Sequence, residues 1–131
     1  MNKRNSTTEE PPVAEATPSW LGWTARILGT LTAAFWLLAV IVSDLSEPWS
    51  NEAFVLTALV IMSAGDVALA WWRADIGGFA LLITALAHGV FAYLASGHNR
   101  GVAVAITAGP FLIVGLLFIA AWQYSGRRSR I

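Results

Sequence analysis

Four apolar runs, at residues 23–43, 53–72, 76–95 and 102–122, constrain this chain more than any other feature of it. Each is about 20 residues long, which at a rise of about 1.5 Å per residue matches a hydrocarbon core of roughly 30 Å. Composition points the same way. The 131 residues are 56% hydrophobic and only 12% charged, whereas soluble domains carry about 25% charged residues. The charges gather at the two ends and in three short gaps between the runs. The expectation is an all-α integral membrane protein.

The gaps decide the topology. Little more than "RAD" separates the second run from the third, which forces an antiparallel hairpin. Short connections of this kind predict an up-down-up-down bundle of four transmembrane helices. Residues 1–20 are polar and rich in Pro, Thr and Glu, and read as a disordered cytoplasmic tail. The four-helix transmembrane domain is expected over 21–126, with a basic cytoplasmic tail at 127–131. The first run starts too late, and is too long, for a cleavable signal peptide, so it is read as an uncleaved span.

Lysine and arginine set the orientation. Lys3, Arg4, Arg26, Arg73, Arg127, Arg128 and Arg130 fall on one side of the expected bundle, and only Arg100 falls on the other. The first gap, "SDLSEPWSNE", holds Asp44, Glu47 and Glu52 and no positive residue, and reads as a solvated acidic loop. Both termini are therefore expected in the cytoplasm. Tryptophan, whose amphipathic ring prefers the headgroup level, agrees with this assignment. Trp20, Trp23, Trp71, Trp72 and Trp122 fall at the inner boundary, with Trp49 and Tyr93 at the outer one.

Within the spans, small residues are expected at the helix contacts, because lipid supplies no hydrophobic drive for association. Gly78, Ala85, Gly89, Ala92 and Ser96 form such a face, and Gly29–Ala33 and Ala64–Ala68 are further small pairs. These suit packing inside the bundle or a contact with a second copy. Pro110 lies inside the fourth span, where a missing N–H and a clash with the carbonyl four residues back predict a kink. Gly77 and Gly78 read as part of a tight turn.

Two polar groups stand out. A charge at the centre of a span costs roughly 2.5–3.5 kcal/mol on insertion scales, so it usually faces protein or water. Asp66 is about 9 Å from the inner boundary by helix rise, off centre. It is expected to contact Arg26, from the first span, or Thr84, from the third. One reading is a contact that fixes helix register; the other is a carboxyl that binds a cation or exchanges a proton. His88 should lie about 18 Å from the inner boundary, too far from Asp66 for a direct bond, with Thr57 and Ser63 as potential partners. A neutral, hydrogen-bonded histidine is the simpler reading of it.

Other chemistries find little support. The net charge is zero, so no basic field invites nucleic acid. There is no cysteine, which excludes disulfides, thiolate catalysis and Cys-ligated metals. His88 and His98 are placed too far apart to share a haem or a zinc. No nucleophile–base pairing, phosphate loop or nucleotide fingerprint is present. No enzymatic activity, cofactor or metal is expected. The partners expected are the lipid bilayer and either a second copy or another membrane protein, the protein serving as a structural, regulatory or partner-binding component. The alternative is a small oligomeric transporter or channel using Asp66 as its coupling or cation-binding carboxylate.

Four segments together carry a resemblance: "ARILGTL" (25–31), "AWWRADIGG" (70–78), "GPFLIVGLLFIAAW" (109–122) and the basic C-terminus. Over about residues 21 to 128 the chain resembles a family of small bacterial four-span membrane proteins classed as a domain of unknown function. The resemblance implies a compact four-helix domain in a bacterial inner membrane. It brings no activity and no site residue, and neither Asp66 nor His88 falls on its motifs.

Overall fold

The structure is a computed structural model that describes residues 19–128. Four helices follow one another: α1 (Ser19–Ser46), α2 (Asn51–Trp72), α3 (Ala74–Ala95) and α4 (Arg100–Arg128). All four are long and apolar enough to cross a membrane. A helix satisfies its backbone groups within its own segment, which is what lipid demands. The expected all-α bundle is what the chain forms. Most of the expected N-terminal tail, and the last residues of the basic one, lie outside the described residues.

All four helices begin before their apolar runs, and α1 and α4 also outlast theirs. Helical hydrogen bonding does not stop where the hydrocarbon stops. Polar side chains such as Ser46 instead bond back to the preceding turn, here to the Val42 carbonyl at 2.7 Å. α2 has a defined start, with the Ser50 hydroxyl accepting from the Ala53 N–H at 3.1 Å. Such a cap satisfies one of the orphan donors of the first turn.

The helices form a ring in which α1 packs on α2 and α4, and α3 packs on α2 and, most extensively, on α4. Ala25, Ala33, Val67, Leu81, Phe111 and Phe118 meet at the centre. The outside is apolar as well: Leu31, Phe35, Ile83 and Leu94 are all exposed. A soluble monomer rarely shows a continuous apolar surface of this kind. Lipid is its natural solvent.

The contacts of α3 rest on glycine, in a different way from the expected turn. Between α2 and α3 lies a single non-helical residue, Arg73, whose N–H donates to the Leu69 carbonyl at 2.7 Å. Gly77 and Gly78 are inside α3, and no described glycine has a positive φ. Their role is close approach. A Cβ on Gly77 would lie 2.2 Å from the Ala70 backbone nitrogen of α2. A Cβ on Gly78 would lie 3.2 Å from the Gly115 carbonyl of α4, and one on Gly115 would lie 3.1 Å from the Gly78 carbonyl. One level of α3 is thus bare on both flanks. The expected small-residue face also packs inward, with Gly89 opposite Val104 and Ala108 of α4.

α4 runs through Pro110 as one helix. The proline leaves the Ile106 carbonyl without its usual N–H partner, and both residues border a shallow outer groove with Phe35 and Trp36 of α1.

Candidate functional site: a polar seam between α2 and α3

The face that α2 turns inward carries Val60, Ser63, Val67 and Ala70, and the facing side of α3 carries Gly77, Leu81, Thr84 and His88. Both sets recur at spacings of three or four, so each forms one stripe. Asp66 lies beside the α2 stripe and is half-buried. The antiparallel register brings Thr84 to it, and the Thr84 hydroxyl donates to Asp66 Oδ2 at 2.5 Å. The bond gives the half-buried carboxyl group a side-chain partner from the neighbouring helix.

Of the two partners expected for Asp66, Thr84 is the one it has. Arg26 turns away from it. The Arg26 guanidinium donates to the Trp71 carbonyl at 3.4 Å and lies 5.8 Å and 5.5 Å from the ring centroids of Trp23 and Trp71. Arg73 pairs within its own turn, with Asp75 at 3.3 Å.

His88 is fully buried. Its Nδ1 lies 2.9 Å from the Thr84 carbonyl, and since a carbonyl only accepts, Nδ1 carries the proton. The imidazole ring tilts over Phe111 of α4 with centroids 4.9 Å apart. Among the described residues, Nε2 has no hydrogen-bond partner. Neither of the expected partners serves His88: Ser63 donates to the Leu59 carbonyl at 3.0 Å, and Thr57 donates to Asp44 and to the Ala53 carbonyl. The sequence places Thr84 beside Asp66 but misses its second contact. Its hydroxyl holds Asp66 while its carbonyl holds His88, so a single threonine joins the two polar groups of the seam.

The seam is narrow. Among the described residues, no group of three His, Asp or Glu side chains is placed to hold a metal ion. At the loop joining α1 to α2, half-buried Asp44 accepts from Thr57 at 3.2 Å, which ties the two helices at that end. The acidic gap is therefore in part a structural contact rather than wholly solvated. The aromatic residues expected at the boundaries, Trp23, Trp49, Trp71, Trp72 and Trp122, are all exposed, Trp72 at 89%. The contacts of Arg26 with Trp23 and Trp71 place the start of α1 and the end of α2 at one end of the bundle. Arg100 over Tyr93, at 4.9 Å, marks the other end.

Four helices long and apolar enough to span, with an apolar exterior and a polar seam between α2 and α3, define a small multi-pass membrane protein. The chain belongs to a family described as a domain of unknown function (DUF7670), whose model matches residues 14–131. No curated protein and no solved structure matches it.

Proposed function

We propose that this protein is a non-enzymatic component of a bacterial inner membrane, a compact scaffold with a structural or regulatory role exercised by binding another membrane protein or a second copy. Both termini face the cytoplasm, a reading that rests on the distribution of lysine and arginine along the chain. The observation that carries the proposal is the Thr84–Asp66 bond. It employs the carboxyl group that lies within the apolar run of the second span in holding α2 to α3, as a register-fixing contact would. The close glycine contacts beside it suit a bundle built to keep one packing rather than to open.

The second reading, a small oligomeric carrier, is favoured by a specific feature. Asp66 is only half-buried, and Thr84 links it to His88, whose Nε2 is unpartnered. Proteoliposomes loaded with a pH-sensitive dye separate the two. The scaffold reading expects native protein and Asp66→Asn to leave an imposed proton gradient equally intact, with and without a panel of organic cations. A flux seen with native protein and lost in Asp66→Asn, while that variant stays folded, would replace the scaffold with the carrier.

A further inference from the structure

Between α1 and α2, on the outside of the bundle, runs a groove of about 470 Å³. Its floor is made of small side chains, among them Ala33 of α1 and Ala64 and Ala68 of α2, and Trp71 and Trp72 close one end. From Ala64 to Trp72 the groove follows α2 for about 12 Å by helix rise. Nothing polar in the floor competes for water except Thr30. In a bilayer such a furrow fills with hydrocarbon.

What distinguishes this furrow from the rest of the apolar surface is the cation at its closed end. Arg26 lies one turn from Thr30 on α1, and its guanidinium sits 5.5 Å from the ring of Trp71, itself a wall of the groove. Its contacts are two aromatic rings and one backbone carbonyl; among the described residues it has no carboxylate partner. The nearby acids are committed elsewhere, Asp66 to Thr84 and Asp75 to Arg73. A half-buried guanidinium of this kind keeps N–H donors for a planar or tetrahedral oxyanion. The aromatic rings hold it at the depth where lipid headgroups lie.

We propose that the α1–α2 groove is a binding site for one anionic phospholipid, with an acyl chain along Ala33, Ala64 and Ala68 and the headgroup phosphate on Arg26. The charge complementarity is specific to this end of the groove. Neither this groove nor the furrow of about 460 Å³ beside Pro110 has a charged residue in its own lining; the α1–α2 groove differs in that a guanidinium, that of Arg26, stacks on one of its walls, Trp71. The proposal does not depend on the scaffold reading or on which face of the membrane the α2–α3 turn occupies.

The test uses the full chain in detergent, titrated with phosphatidylglycerol or phosphatidylcholine of matched acyl chains, and read by native mass spectrometry. Native protein is expected to retain one phosphatidylglycerol in preference to phosphatidylcholine. Arg26→Gln should weaken phosphatidylglycerol binding by about tenfold, the scale of one hydrogen bond to a charged group. Arg26→Lys should keep much of the preference, and Ala68→Leu, which fills the groove without touching the charge, should weaken both lipids together. Circular dichroism confirms that each variant is folded, and Arg26→Ala, which also removes the charge, serves if Arg26→Gln is not. Equal retention of the two lipids by native protein would overturn the proposal. So would a dimer seen by light scattering and dissolved by Ala68→Leu, since a second copy would then occupy the groove.

Discussion

Replacing Gly77 with alanine is the sharpest test of how this bundle is held together. The added methyl would lie 2.2 Å from the Ala70 nitrogen, 2.3 Å from its Cα and 2.5 Å from its Cβ. Ordinary contact begins near 3.4 Å, so the helices must part by at least about 1 Å, and the obstacle is backbone that no rotamer change can move. Parting is restricted because Arg73 alone separates the two helices at this end. Overpacking a well-filled site costs about 1–3 kcal/mol, and this site belongs at the upper end. Alanine's better helix propensity offsets about 1 kcal/mol, leaving a net loss of about 2 kcal/mol. Gly65→Ala is the internal control: it makes the same chemical change in α2, with nothing within 4 Å of the new methyl. It should be neutral or stabilising by up to about 1 kcal/mol. The two variants should therefore differ by about 3 kcal/mol, with the propensity gain common to both. Equilibrium unfolding by SDS in mixed micelles, followed by the fluorescence of the seven tryptophans, measures this directly. If Gly77→Ala unfolds within about 0.5 kcal/mol of Gly65→Ala, the close approach of α2 and α3 is not what positions them.

Further outcomes are expected in the same assay. Thr84→Val, which keeps the shape and removes the hydroxyl, should cost about 1–3 kcal/mol by stranding the Asp66 carboxylate, and Asp66→Asn should cost less because its amide oxygen still accepts from Thr84. A double-mutant cycle over Asp66→Ala and Thr84→Ala should show a coupling of at least about 0.5 kcal/mol; additivity would mean the bond contributes nothing. His88→Leu should change stability by no more than about 1 kcal/mol, since losing the Nδ1 bond is balanced by removing the unpartnered Nε2; a loss above about 3 kcal/mol would show that Nε2 has a partner in the membrane. Pro110→Ala should stabilise by about 1 kcal/mol through the restored bond to the Ile106 carbonyl, and a marked loss would mean that the groove beside Phe35 and Trp36 needs the ring.

The parts of this molecule that the chain spells out are those set by lipid. Span number and approximate span limits follow from the length of apolar runs, because hydrocarbon thickness is a fixed ruler. The residue pairings are less legible. Asp66 is recognisable as a group in need of a partner, but its choice of Thr84 over Arg26 depends on helix rotation, which spacing alone leaves open. Arg26 finds competing partners in Trp23 and Trp71, residues that read in sequence only as boundary markers. Gly77 and Gly78 follow a charged tripeptide and look like turn chemistry. Their actual role depends on how near α2 and α4 approach, a tertiary distance with no local signature. The double use of Thr84 has a different cause: its carbonyl bond to His88 is local, four residues along α3, but it depends on the imidazole rotamer, which spacing leaves open.

The single-residue link between α2 and α3 also bears on how the protein is made. As two 22-residue spans leave the ribosome, no polar segment emerges between them to be retained on or carried across either side. The pair enters the bilayer as one hairpin whose orientation is decided once, with Arg73 the only cation at its apex. Reversing α2 necessarily reverses α3, so charge changes near the apex should invert the hairpin as a unit and never leave one of its helices misplaced alone.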